Sequence, residues 1–319
     1  MLCFCYFLLL ARAVVRLPRE FRRFRLVTRI PAASFIENKS NPCVDLHYDA
    51  ETDALFVADA RNRTVNVLCP PATASPPRPV YTAKSPAQPS GVCLVRQTGT
   101  LLVANFADQQ HRVKRVLFSL VALSRDAQQW RQLSELQMSF EMEPGISCTG
   151  LTICKLVNST VLIGALLSRQ LFVVSLTPTH RLSLLRELQT PDKYTSVSSA
   201  VQIERTLVAL TLSTAPVYII IISLNRLVEG RLEQLSQLEL GPSSHSYLVL
   251  WASERLLLGE RTAQGLAIVE LDTSRKPLAR ATELLSRAAD LSIRRWCADG
   301  ERVCVWEAAS KDILVYSVC

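Results

Sequence analysis

The sequence predicts an all-β fold, a six-bladed β-propeller whose N-terminal strand closes the last blade, and three observations predict it. Short apolar runs of strand type recur at a regular interval, each is followed by a second and a third strand-like segment, and the chain ends one strand short of a full set that its beginning can supply. The runs are Ala54–Ala58, Thr100–Ala104, Thr160–Gly164, Thr206–Leu210, Arg255–Gly259 and Arg302–Trp306. Their central residues, Phe56, Leu102, Leu162, Val208, Leu257 and Cys304, are spaced by 46, 60, 46, 49 and 47. A period near 47 with strand content is what a blade of four strands requires.

The elements of one repeat follow in order. An innermost strand comes first, at 43–47, 91–95, 150–154, 199–203, 247–251 and 293–297. The diagnostic apolar run follows it. A third strand lies at 64–68, 112–117, 171–175, 217–222, 266–270 and 313–316, after turn chemistry such as Asp59-Ala-Arg-Asn62 and Asn105-Phe-Ala-Asp108. The fourth segments, 130–138, 182–189, 232–239 and 280–285, alternate polar and apolar residues, which fits an outer strand with one wet face. The last repeat stops at Cys319 after its third strand, and Phe24–Ile30, ending in Pro31, is available as its fourth. Pairing start with finish removes the open edge that invites aggregation. Inserts are expected at Ser119–Gln129 and Pro70–Pro79, as loops and candidate contact regions.

Composition agrees with a folded body. Of 319 residues 49% are hydrophobic and 20% charged, which excludes a disordered polymer. The formal charge is +8, but seven arginines and Glu20 between residues 12 and 29 carry +6 of it, leaving the rest of the chain near neutral. Residues 1–23 read as an apolar block and then an Arg-rich leader, either a targeting segment or a disordered tail, and 24–319 as the propeller. In a secretory signal the positive charge precedes the apolar block, whereas here it follows, and the block is too short to span a bilayer. An intracellular location is therefore favoured over secretion, with no integral membrane segment. The ten cysteines include no Cys-x-x-Cys pair and mostly sit in apolar runs, so they read as buried reduced thiols.

In Pro42-Cys-Val-Asp-Leu-His-Tyr-Asp49 with Ala54–Leu68, and again in Pro89–Val95 with Thr100–Asn105, the chain resembles the NHL repeat, and more broadly the six-bladed propellers that include gluconolactonase-like enzymes. The resemblance implies four classes of function: protein binding, RNA binding, metal-dependent lactone hydrolysis and the chemistry of amidating lyases. The enzymatic branch needs oxygen or imidazole ligands converging on the central channel from several blades. The innermost segments offer Asp45 and His47, then Gln202, then Arg294 and Arg295 beside Trp296, with His245 just before the fifth. That set is a poor metal cage, so no metal, cofactor or catalytic residue is assigned. There is no Gly-x-Ser-x-Gly elbow, and the four histidines lie in unrelated settings. Basic segments at Gln110–Val116 and Arg294–Trp296 support nucleic-acid binding less well than protein binding, given the near-neutral body. The expectation is a monomeric, non-catalytic scaffold that holds a protein partner through loops on one face. Asp45, His47, His245, Arg294, Arg295 and Trp296 are its candidate binding residues.

Overall fold

The computed structural model describes residues 24–31, 43–69, 77–107, 115–126, 129–141, 151–157, 159–165, 168–192, 196–213, 217–241, 246–251, 255–262, 265–272, 279–286, 296–299, 302–307 and 312–318. Their strands form six antiparallel sheets of four. The first sheet holds β2 (Cys43–Asp49), β3 (Ala54–Asp59), β4 (Thr64–Leu68) and β5 (Arg78–Thr82). Next come β6 (Ala87–Val95), β7 (Thr100–Ala107), β8 (Arg115–Asp126) and β9 (Gln129–Glu141), and then β10 (Leu151–Lys155), β11 (Thr160–Ala165), β12 (Gln170–Leu176) and β13 (Leu182–Gln189). The fourth sheet is β14 (Ser196–Glu204), β15 (Leu207–Ser213), β16 (Val217–Ser223) and β17 (Gln234–Gly241). The fifth is β18 (Ser246–Trp251), β19 (Arg255–Thr262), β20 (Gly265–Asp272) and β21 (Ala279–Ser286). The last sheet joins β22 (Trp296–Asp299), β23 (Arg302–Glu307) and β24 (Asp312–Val318) to β1 (Phe24–Pro31), so the chain's first described strand is the outer strand of its last sheet. Phe24 lies opposite Val318 and Pro31 opposite Asp312, with a bulge at Val27.

The innermost strands touch in the cycle β2, β6, β10, β14, β18, β22 and back to β2. The fold is an all-β propeller, and its cores lie between consecutive sheets. Leu102 and Ala104 of β7 face the third sheet, packing with Val161, Ile163 and Phe172, whereas Leu101 and Val103 face the first, with Phe56 and Val65. Both faces of the middle strands are thus buried, and period-two alternation gives way to the continuous apolar runs seen in the sequence. Phe118 stacks edge-on against Phe172 with centroids 5.1 Å apart. Outer strands keep one wet face, as in β9, where Met138 and Phe140 are buried and Gln137 and Glu141 exposed.

Local chemistry sets the turns. Asp59, buried at the end of β3, accepts hydrogen bonds from the backbone N–H groups of Arg61 and Asn62, each at 3.0 Å, and makes the expected turn into β4. His180, at φ 60°, bridges sheets: its Nδ1 lies 2.7 Å from Thr100 Oγ1, and Ser134 donates to its carbonyl.

Some expectations change. Ser119–Gln129 is not a loop, because β8 runs to Asp126 and β9 starts at Gln129. Its residues are apolar on both faces, Leu120 and Ala122 packing one way and Val121 and Leu123 the other. That long hairpin accounts for much of the extended interval of 60. The end of the Pro-rich segment forms β5, a strand the sequence did not announce; Pro79 is tolerated there because β5 is an outer edge. The fourth sheet's outer strand starts at Gln234 rather than 232, after a short helix α1 (Leu224–Val228) capped by Ser223, whose hydroxyl accepts from Arg226 N. Of the last innermost strand, expected at 293–297, Trp296 and Cys297 lie in β22 and 293–295 lie outside the described residues. The leader 1–23 and part of the 70–79 segment lie outside the described residues.

Close approach of innermost strands constrains Gly91. A Cβ there would sit 3.0 Å from Leu151 O and 3.1 Å from Ile153 Cγ1 on β10. Because a backbone oxygen cannot move aside cheaply, Gly91→Ala is expected to lower stability by about 1–3 kcal/mol, read as a shift of the urea midpoint.

Candidate functional site at the innermost strands

Strand register converts scattered residues into a level. The partners of the six period-setting residues are His47 opposite Phe56, Cys93 opposite Leu102, Cys154 opposite Leu162, Gln202 opposite Val208, Val249 opposite Leu257 and Cys297 opposite Cys304. One imidazole, three thiols and an amide therefore occupy equivalent positions around the ring.

Each of these three thiols lies beside the backbone of the next innermost strand: Cys93 at Lys155, Cys154 at Gln202 and Cys297 at Tyr48. Burial dominates and pushes all three thiols up, Cys93 to about 12, so they are protonated at neutral pH. All the described cysteines are free.

Below this level the first sheet's hairpin is gripped from both sides. The buried Asp49 accepts from Thr52 N at 3.2 Å, from the Thr52 hydroxyl and from Arg96 Nε, and Arg96 Nη1 also lies 3.9 Å from Glu51. Burial raises the Asp49 carboxyl, but hydrogen bonds from Thr52 and Arg96 outweigh it and hold it below its ordinary range. On the other side Asp53 Oδ1 accepts from Tyr48 OH at 2.7 Å and from Arg302 Nη1 at 2.6 Å, while the Arg302 guanidinium lies 5.7 Å from the Tyr48 ring centre. Asp45 Oδ2 accepts from Val92 N at 2.8 Å, fastening β2 to β6.

Of the sequence-predicted residues, Asp45 and His47 lie on β2. The ring of His47 is 6.4 Å from that of Phe56. Desolvation lowers its pKa to about 4, helped by Arg96 and Lys155 and opposed by Asp49. His47 is thus a neutral imidazole at pH 7. Lys155 is likewise lowered, chiefly by burial and then by Arg96, against the pull of Cys93, Glu51 and Asp49. Trp296 opens β22, and His245, Arg294 and Arg295 lie outside the described residues. Sequence reasoning missed Asp49, Asp53, Arg96, Lys155 and Arg302. A signal existed: Asp45 to Val92 and Asp49 to Arg96 both span 47 residues, one repeat. Among the described residues no three His, Cys, Asp or Glu side chains are grouped to hold a metal ion, and no helix is long and apolar enough to cross a membrane.

No family model and no curated protein matches the sequence, so the likeness to NHL repeats has no wider sequence support. Solved structures do match. A chain of the mitotic checkpoint complex is 10% identical with a TM-score of 0.58, covering 96% of this chain and 99% of that one. A putative 6-phosphogluconolactonase from Bacteroides fragilis is 11% identical with a TM-score of 0.60, over 86% of this chain and 79% of that one. A glucose dehydrogenase is 8% identical with a TM-score of 0.58, over 92% and 99%. At such identities the likeness shows the propeller fold alone.

The His47 environment predicts a pH dependence. A folded pKa near 4 against an ordinary 6.5 means that the unfolded chain binds more protons in between. Stability from this group is complete above about 6.5 and is lost as pH falls toward 4. Urea midpoints measured across that window should fall with pH in the native chain, and the slope should flatten in His47→Leu.

Proposed function

We propose that the chain is a six-bladed, NHL-like propeller that acts as a monomeric, non-catalytic scaffold, each four-stranded sheet being one blade, and that it holds a protein partner through loops on one face. The observation that carries this reading is the engagement of the innermost carboxylates in the frame. Asp45 holds the Val92 amide, and Asp49 is shared by Thr52 and Arg96. A metal-dependent hydrolase would leave such groups to converge on an ion. The fold likeness to a chain of the mitotic checkpoint complex favours a propeller used within an assembly, and rigid blades presenting many loops suit that role. The likeness to a putative 6-phosphogluconolactonase keeps lactone hydrolysis as the rival reading.

The two readings part at Asp45. In a scaffold, Asp45→Ala strands the Val92 N–H and lowers stability by about 1–3 kcal/mol, and millimolar calcium, manganese or zinc leaves the melting temperature of the native chain unchanged. A saturable metal-dependent rise in melting temperature, with lactone hydrolysis lost in a folded Asp45→Ala variant, would establish the hydrolase and overturn the scaffold.

A further inference from the structure

Cys297 on β22 and Cys304 on β23 are directly opposed across an antiparallel pair, flanked by Trp296 opposite Val305 and Ala298 opposite Val303. Opposed residues of antiparallel strands have Cα atoms about 4.5–5.5 Å apart, inside the window of roughly 4.4–6.8 Å that a disulfide spans. Both thiols are buried and both are free. They sit in the sheet that takes β1 as its outer strand, and pack with Leu46, Tyr48, Leu55 and Val57 of the first sheet. We propose that this pair is a redox modification site, an intrasheet disulfide that forms under a disulfide oxidant and pins the inner hairpin of the ring-closing sheet.

The chemistry balances with glutathione disulfide as oxidant. Cys297, the less buried of the two at 8% exposure against 0%, attacks one sulfur and releases one glutathione. The Cys304 sulfur then attacks the mixed disulfide at Cys297 and releases the second. Two protein thiols are oxidised, the oxidant is reduced to two glutathiones, and these take up the two protons. Burial keeps the Cys297 thiol protonated, so the first step is slow. The other thiols of the inner level lack this arrangement: Cys93 faces Leu102 and Cys154 faces Leu162 across their sheets. Cys69 is exposed and donates weakly to Thr52 O at 3.4 Å, so it serves as an internal reference for oxidant access.

The test uses the full reduced chain, incubated with glutathione disulfide until Cys69 is fully converted to its adduct and then for a further day, followed by alkylation and tryptic mapping. The expected product is Trp296–Arg302 linked to Val303–Lys311, lighter by two hydrogens than the separate peptides and released by dithiothreitol. The oxidised protein should melt about 3 °C higher than the reduced one. The linked pair must vanish in Cys304→Ser; if that variant does not fold, the native map alone decides. Recovery of Cys297 and Cys304 as alkylated free thiols, as separate glutathione adducts, or linked to other cysteines would overturn the proposal.

Discussion

Sheets that pack face to face in a cycle leave no inner face bare once the last meets the first, and at the 49–53 hairpin two arginines fasten the first sheet to both of its neighbours. Arg96 arrives from the second sheet to Asp49, and Arg302 from the last sheet to Asp53. The two pairs differ in weight. Asp49 is 1% exposed, so removing Arg96 would leave a buried carboxylate without its cation, a change that typically costs about 3–5 kcal/mol. Arg302 and Asp53 are each about a third exposed, and pairs of that kind contribute on the order of 1 kcal/mol or less. The first contact is therefore the one whose loss would be costly, while the second adds register where the last sheet meets the first.

Cohesion itself comes from apolar burial between sheets. A fully buried leucine, valine or phenylalanine contributes about 1.5–3 kcal/mol, and the clusters that join the first four sheets to one another each contain at least eight such residues. The ionic contacts add geometry to a structure that packing already favours. Leu117, Leu133, Leu184 and Leu235 show where that packing ends, since they lie exposed on the third and outer strands. On β9 the exposed Glu135 and Gln137 alternate with the more buried Leu136 and Met138, which is why such outer strands read as half-polar while the middle ones read as solid apolar runs.

The same contrast explains what was legible in the sequence. Middle strands such as β7, β15 and β23 were clear because burial on both faces leaves an unbroken apolar run, and β1 was found because the last repeat lacked an outer strand. The strand β5 was hidden by prolines that only an edge position tolerates. The extension of β8 was mistaken for an insert because its length broke the regular period. The charged clasp was invisible for another reason: Asp49, Asp53 and Arg96 lie at strand ends and in turns, where polar residues are ordinary. Only the repeat period links Asp45 to Val92 and Asp49 to Arg96, and that relation becomes meaningful once neighbouring sheets are known to touch.

The inner level shows how one structural demand selects unlike residues. Innermost strands expose backbone N–H groups toward their neighbours, and a buried amide without an acceptor is costly. Asp45 answers with a carboxylate on Val92, whereas Cys93, Cys154 and Cys297 bring sulfur to the next strand's backbone. Sulfur is the weaker acceptor but is cheap to bury, because a neutral thiol needs no cation to balance it as a carboxylate does. A thiol placed for that purpose stays protonated and unreactive as a nucleophile. Chemistry becomes accessible at this level only where a second sulfur is supplied by the same sheet, and among the described residues the register does so at Cys297 and Cys304.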